Sequence, residues 1–399
     1  MTISIDKKCL GTPQHMVVSP AGVSWTDAPP PNSLTWGCSV GDDLSAASPL
    51  LGEKLNLDFG EEYQKAMQAV CPDIRDIPWS QVVPKKKFER ILRKFLKGVE
   101  DIKKEEVYEY LTSSFFPSLR MLNSFEPAKV DPEIVRTLLM TAKNTSAIQS
   151  FMPVNRGYAK QVKYSLTGTR TGRMIVSEGP SILTLKKEHR KIITSRFQDG
   201  RIIEIDFVSL EPRLALSLVG RNPAVDVYAS IQKDVFEGTV SRQTAKLATL
   251  CTIYGGGIKK LKEITSMSGE SVRQVMQKLD DYFCKKDIID AILQEVDEAG
   301  CYKNYFGRPI FPNSNEGYLV YNNYIQSSAV DLALQGFRKI TNQLADMKSI
   351  PLFVIHDALV FEIEKAHRET LSEIEKRGLF SPGFCNPFPV SFEKFGSLD

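Results

Sequence analysis

The chain has 399 residues and a net charge of +3, with 42% of residues hydrophobic and 25% charged, enough apolar material for one large core or two moderate ones. No window approaches the roughly 18 to 20 uncharged apolar residues of a membrane-spanning helix, and the opening MTISIDKKCL lacks a signal peptide's apolar core, which points to a soluble, non-secreted protein. Seven scattered cysteines (Cys9, Cys38, Cys71, Cys251, Cys284, Cys301, Cys385), odd in number and without a CxxC pair, argue against a disulfide framework or a zinc site and fit a reducing cytoplasm.

Residues 1–80 read as irregular, with Pro29, Pro30 and Pro31 in sequence and little sustained periodicity before Trp79. From Pro84 the spacing predicts a helix: Phe88, Ile91, Leu92 and Phe95 repeat at three and four, and Gly98 is its expected end. Lys85, Lys86, Arg90, Arg93, Lys94 and Lys97 surround that stripe, as either a phosphate-tracking face or a solvated basic one. With a net charge this small, nucleic-acid binding has to come from such local clusters.

Further along, RIIEIDF at 201–207 reads as a strand ending on Asp206, and Ser241 to about Tyr254 as a helix. The segment LFVIHDALVFEI at 352–363 reads as two strands joined by a tight turn carrying Asp357. Together these predict an α+β domain. Either aspartate alone has an ordinary structural explanation, since Asp is a favoured turn residue. Side by side on adjacent strands, the two make a hard-oxygen site suited to Mg²⁺, which takes one or two protein carboxylates plus substrate phosphates. A two-metal in-line displacement also needs cations for a triphosphate. Arg242 and Lys246 lie on one face of the 241–254 helix and could supply them, although an R-x3-K pair is common on exposed helices.

Several segments, in order, resemble family A DNA polymerases, the bacterial DNA polymerase I type. Asp206-Phe-Val-Ser-Leu-Glu211-Pro-Arg213 resembles the first polymerase motif, D-Y-S-x-x-E-x-R. Arg242-x3-Lys246-x7-Tyr254-Gly255 is similar to the fingers-helix motif, and Val354-Ile-His356-Asp357 to the V-H-D-E hairpin. Thr171-Gly172-Arg173 matches the T-G-R segment, Asn322-x3-Gln326 the N-x3-Q helix segment, and Tyr305-Phe-Gly307-Arg308 looks like the F-G-R turn. The resemblance covers residues 155–365.

The resemblance implies a right-hand polymerase fold: an antiparallel palm sheet and helical fingers in 156–399 (fingers about 220–300), a thumb-like helical region at 81–155, and an N-terminal segment 1–80 of unknown role. It implies template-directed addition of dNTPs to a primer 3′ end on primer–template DNA. Asp206 and Asp357 would ligate two Mg²⁺ ions, replaceable by Mn²⁺. Arg242 and Lys246 would bind the incoming triphosphate, with Lys246 able to protonate the leaving pyrophosphate. Tyr254 and Gly255 would stand beside the templating position, Arg173 and Gln326 would contact the minor groove supported by Asn322, and His356 would join the DNA-contacting set. Glu211 would sit against the sugar 2′ position and favour deoxynucleotides, a residue that related single-subunit RNA polymerases lack.

Three positions depart from the pattern. Ala358 replaces the acid after His-Asp, Leu250 replaces the fingers-helix aromatic against the sugar, and Tyr228 replaces a His that touches the β-phosphate. Asp131-Pro132-Glu133 fits a nuclease-like D-x-E pair but falls in the thumb-like region, which leaves no room for a proofreading domain of the family's kind. Such economy resembles phage- or plasmid-encoded enzymes acting in a bacterial or phage-infected cytoplasm, with a separate exonuclease or processivity factor as a partner. The competing readings are a polymerase that makes RNA or copies an RNA template, and a non-catalytic nucleic-acid-binding relic. Glu211 argues against RNA synthesis, and the intact Asp206, Lys246 and Asp357 argue against a relic.

Overall fold

The structure, a computed structural model, describes residues 2–31, 33–36, 42–51, 59–71, 77–345, 347–364 and 368–396. Cys38 lies outside these, and the other six cysteines carry free thiols. Among the described residues, no helix is long and apolar enough to cross a membrane. The chain divides into two compact units, Met1–Arg120 and Met121–Asp399.

The first unit corrects the irregular reading of residues 1–80. Strands β1 (Ile3–Ile5), β2 (His15–Ser19), β3 (Gly22–Thr26), β4 (Leu34–Trp36) and β5 (Asp42–Asp43) form one sheet in the order β3-β2-β1-β4-β5. Neighbours β1, β2 and β3 pair antiparallel, whereas β4 and β5 run parallel to β1. Strands of two to five residues are too short to show a period, so sequence patterning missed them. Helix α1 (Lys85–Ile102) runs straight through Gly98, because the apolar stripe continues: Phe88, Phe95, Gly98, Val99 and Ile102 are all buried. Glycine weakens a helix interior by only about 1 kcal/mol, less than the burial of Val99 and Ile102 returns. The six cations flanking the stripe are exposed.

The second unit begins with α2 (Pro132–Thr141) and the small antiparallel pair β6 (Lys163–Ser165) and β7 (Ile175–Glu178). Strand β8 (Gly200–Phe207) then leads into α3 (Leu210–Leu218), α4 (Val227–Asp234), α5 (Arg242–Ile253), α6 (Ile258–Thr265), α7 (Gly269–Tyr282) and α8 (Lys285–Ala299). A two-stranded ribbon, β9 (Tyr302–Lys303) with β10 (Pro309–Ile310), precedes the long α9 (Gly317–Gln343). The hairpin β11 (Ser349–Ile355) and β12 (Ala358–Glu364), α10 (Arg368–Arg377) and β13 (Val390–Lys394) complete the chain.

The main sheet is wholly antiparallel, in the order β11-β12-β8-β13. Ala358 to Ile363 of β12 are all buried, as a central strand covered on both faces requires, hence its near-continuous apolar run. The one acid in that run, Glu362, is fully buried and satisfied: it accepts from Ser195 Oγ at 2.6 Å and Arg196 Nε at 2.9 Å. Helices α4 to α7 share an apolar core built on Ile231, Ala245, Ala248, Leu261, Val272 and Leu279, and Tyr321 and Ile325 of α9 belong to it. This mixture of antiparallel sheet and packed helices is the α+β class that the sequence patterning implies.

Candidate active site

Register places the two candidate carboxylates at one end of the main sheet. Strands β11 and β12 close through only His356 and Asp357, and β12 pairs antiparallel with β8 so that Asp206 stands opposite Ala358. A two-residue hairpin needs a positive φ in its turn, and His356 supplies it at +56°. Asp357 therefore lies one residue from the partner of Asp206, exposed at the hairpin tip.

The electrostatics of the pair call for a cation. Burial first, then repulsion from Asp357 and Glu204, push the Asp206 carboxyl up to about 7. Its Oδ1 is buried with no hydrogen-bond partner. Desolvation by the protein around the tip raises Asp357 as well, opposed by His356 and Arg173. Two hard oxygen donors that resist ionising together, one of them orphaned, suit a divalent ion such as Mg²⁺ that brings waters and phosphates as its other ligands.

After β8 the chain turns through Ser209, at φ +56°, into α3, whose first turn carries Glu211. Arg213 fixes this corner: its guanidinium donates to the carbonyls of Val208 (2.9 Å), Ala224 (3.1 Å) and Val225 (2.6 Å), tying the start of α3 to the loop before α4. Glu211 accepts from Arg173 Nη2 at 3.2 Å and from the Tyr254 hydroxyl. Burial raises the Glu211 carboxyl, and those two donors oppose the rise. The Arg173 guanidinium also lies 5.9 Å from the centre of the Tyr254 ring.

Helix α5 is capped by Ser241, whose Oγ accepts from Thr244 N at 3.1 Å. On its first turns Arg242 and Lys246 flank the buried Tyr228 ring, at 5.7 and 5.6 Å from the ring centre. Arg242 Nε also donates to Asp226 at 2.7 Å, and Asp226 caps α4. Leu250 follows one turn on, half-buried and without a polar group to offer. Tyr254 ends the helix, and Gly255 turns the chain at φ +76°, where a Cβ would come within 2.6 Å of the Tyr318 ring. On α9, Gln326 Nε2 donates to Asn322 Oδ1 one turn earlier.

The structure thus gathers Asp206, Asp357, Glu211, Arg173 and Tyr254 into one group, and Arg242, Lys246 and Tyr228 into a second. Asn322 and Gln326 pair with each other. Sequence reading gave no role to Asp226 or Arg213, although Arg213 stood inside the first motif. It also rested nothing on Asn304 and Asp331, which surround Arg308.

With this geometry in view, the comparisons are decisive on family. The model for DNA polymerase family A matches residues 60–381. The chain belongs to this family. It is a DNA-directed DNA polymerase. The family A polymerase shares its fold with a solved structure described as the POL domain of Pol1 from M. smegmatis in complex with DNA primer-template and dNTP. The two are 14% identical with a TM-score of 0.62, over 96% of this chain and 92% of that one. No curated protein sequence matches the polymerase.

Proposed function

We propose that this polymerase extends a primer by two-metal phosphoryl transfer at Asp206 and Asp357, selects deoxynucleotides through Glu211, and carries no 3′–5′ exonuclease. The observation that carries the reading is the buried, unpartnered Oδ1 of Asp206, in a carboxyl raised by burial and by repulsion from Asp357. Asp206 and Asp357 would hold two Mg²⁺ or Mn²⁺ ions, which would supply Lewis-acid stabilisation for the transfer. Arg242 and Lys246 grip the triphosphate of the incoming dNTP; Tyr228, between them, can donate its phenolic hydrogen to a phosphate oxygen. Lys246 protonates the leaving pyrophosphate. Tyr254 and Gly255 line the templating position, with Leu250 on the sugar side of α5. Arg173 and Gln326, supported by Asn322, read minor-groove acceptors that every Watson–Crick pair presents, and His356 contacts the primer terminus. In these terms the main sheet is the palm, α4 to α8 the fingers, and exposed cations on α1 track duplex phosphates as part of a thumb.

The D-x-E acids serve local structure. Asp131 Oδ1 caps α2, accepting from Glu133 N at 2.9 Å and Ile134 N at 3.1 Å, while Glu133 pairs with Arg136. A nuclease pair has to point its carboxylates at a shared metal.

The test is primer extension with Mg²⁺ and each dNTP or NTP, using the wild-type protein, Asp206→Ala and Asp357→Ala. Both variants are expected to lose extension by several kcal/mol of barrier, about tenfold per 1.4 kcal/mol, while binding primer–template nearly as the wild type does. Near-normal extension by either variant sinks the assignment.

A further inference from the structure

The second unit buries an ion pair that takes no direct part in the proposed chemistry. Arg308, on the ribbon, and Asp331, in the middle of α9, are each about 1% exposed. The pair is forked: Arg308 Nε donates to Asp331 Oδ2 and Nη2 to Oδ1, both at 3.1 Å. Asn304 completes the cage. Its amide nitrogen donates to Asp331 Oδ2 at 2.7 Å and to Ser327 Oγ at 3.0 Å, and its carbonyl oxygen accepts from Arg308 N at 2.9 Å. Replacing a buried ion pair by well-packed apolar groups is commonly neutral or stabilising, so stability alone gives little reason for this one.

The free face of the guanidinium is used. Arg308 Nη1 donates to the Leu166 carbonyl at 3.0 Å, at the start of the loop that ends in Thr171-Gly172-Arg173. Gly172, at φ +75°, lies against the guanidinium so closely that a Cβ there would meet Nη1 at 2.6 Å and Nη2 at 2.7 Å. The next residue is Arg173, bonded to Glu211, which in turn takes the Tyr254 hydroxyl. One run of contacts thus joins the middle of α9 to the sugar-facing acid and to Tyr254, the C-cap of the fingers helix.

We propose that Arg308, held by Asp331 and Asn304, is a positioning residue: its guanidinium is the floor on which Gly172 rests, and through that turn it sets where Arg173 holds Glu211. The inference rests on the reading of Glu211 as the sugar gate. A lysine keeps the charge but lacks the fork that grips Asp331 and the flat face on which Gly172 lies. Misplacement by about 1 Å far from the chemistry can cost roughly a hundredfold in rate, so loosening this turn is expected to register in nucleotide choice.

The experiment measures kcat/KM for a correct dNTP and the matching NTP in the full chain, for Arg308→Lys, Arg173→Ala and the double variant, with melting curves confirming folding. The ratio of dNTP to NTP efficiency is expected to fall in Arg308→Lys by roughly tenfold or more. In the double variant it is expected to fall no further than in Arg173→Ala, because both act through one contact. A packing role alone lowers the melting temperature and leaves the ratio unchanged; an unchanged ratio in Arg308→Lys, or a double variant whose ratio falls below that of Arg173→Ala, overturns the proposal. If Arg308→Lys does not fold, Asp331→Asn, which keeps the shape and loses the charge, is judged by the same ratio. Glu211→Ala run alongside separates the two levels. An unchanged ratio in Glu211→Ala removes the gate itself, whereas a changed ratio there with none in Arg308→Lys removes only the relay.

Discussion

Replacing Asp206 by asparagine tests the site through stability, independently of turnover. In the metal-free folded protein, burial and the neighbouring carboxylates hold the Asp206 proton up to about pH 7, against an ordinary aspartate value of 3.8. Between those values the native state carries a proton that the unfolded chain has released, so this group favours folding in acid. Its contribution is complete below 3.8 and is lost as pH rises through 7. From pH 5 to pH 8 the loss is about 2 to 3 kcal/mol, taking about 1.4 kcal/mol per pK unit over the two units from 5 to 7. Asparagine does not titrate and escapes that loss. Any cost of its unpaired amide is the same at both pH values and cancels when each protein is compared with itself. Urea unfolding in EDTA at pH 5 and pH 8 is expected to show Asp206→Asn gaining 2 to 3 kcal/mol on the wild type across that interval, again by about 1.4 kcal/mol per pK unit. Mg²⁺ added at pH 8 is expected to stabilise the wild type and not the variant. A gap between the two proteins that does not change with pH refutes the reasoning, because the carboxylate is then solvated or already paired.

Glu211→Ala is expected to lower the dNTP-to-NTP ratio of kcat/KM, with correct dNTP use falling less, since a steric gate acts by repelling the wrong sugar; an unchanged ratio means that Glu211 is not the gate. Leu250 affects the size of that change, not its direction. A primer with a mismatched 3′ end, incubated with the purified protein and no nucleotides, is expected to stay full length. Shortening that disappears in Asp131→Ala would assign Asp131 and Glu133 a nuclease role against this reading.

What the sequence made legible divides by the range of the interactions involved. Strand β8, the β11–β12 hairpin and α5 were readable because each is long enough to show its period, and the Ser241 cap and the His356–Asp357 turn punctuate them. The first-unit sheet was not, because β1, β4 and β5 hold three, three and two residues and β1 pairs in parallel with the distant β4. Gly98 misled because a glycine at a helix stop and one inside a buried helix stripe look alike in sequence; only the burial of Val99 and Ile102 separates them. Arg308 and Asp331 are 23 residues apart, on different elements. Their pairing leaves no local pattern in the sequence, where Arg308 stands only in the F-G-R resemblance and Asp331 in no motif.

The site itself breaks local rules, and it breaks them next to the acids. Of the six non-glycine residues with positive φ among the described residues, Ser209 lies between Asp206 and Glu211, and His356 immediately precedes Asp357. Asp206 Oδ1 is one of the buried side-chain atoms that lack a hydrogen-bond partner among the described residues. Left-handed backbone at a residue with a side chain costs on the order of 1 to 3 kcal/mol, and an unsatisfied buried oxygen a similar amount. Surrounding structure has to hold such features in place, and here it does so visibly: Arg213 pins the Ser209 corner with three carbonyl bonds, and pairing on both sides of β12 fixes the His356 turn. Relaxing any of the three would ease the fold at the expense of carboxylate placement. That link between strain and placement is what separates this pair of aspartates from two ordinary acids at strand ends.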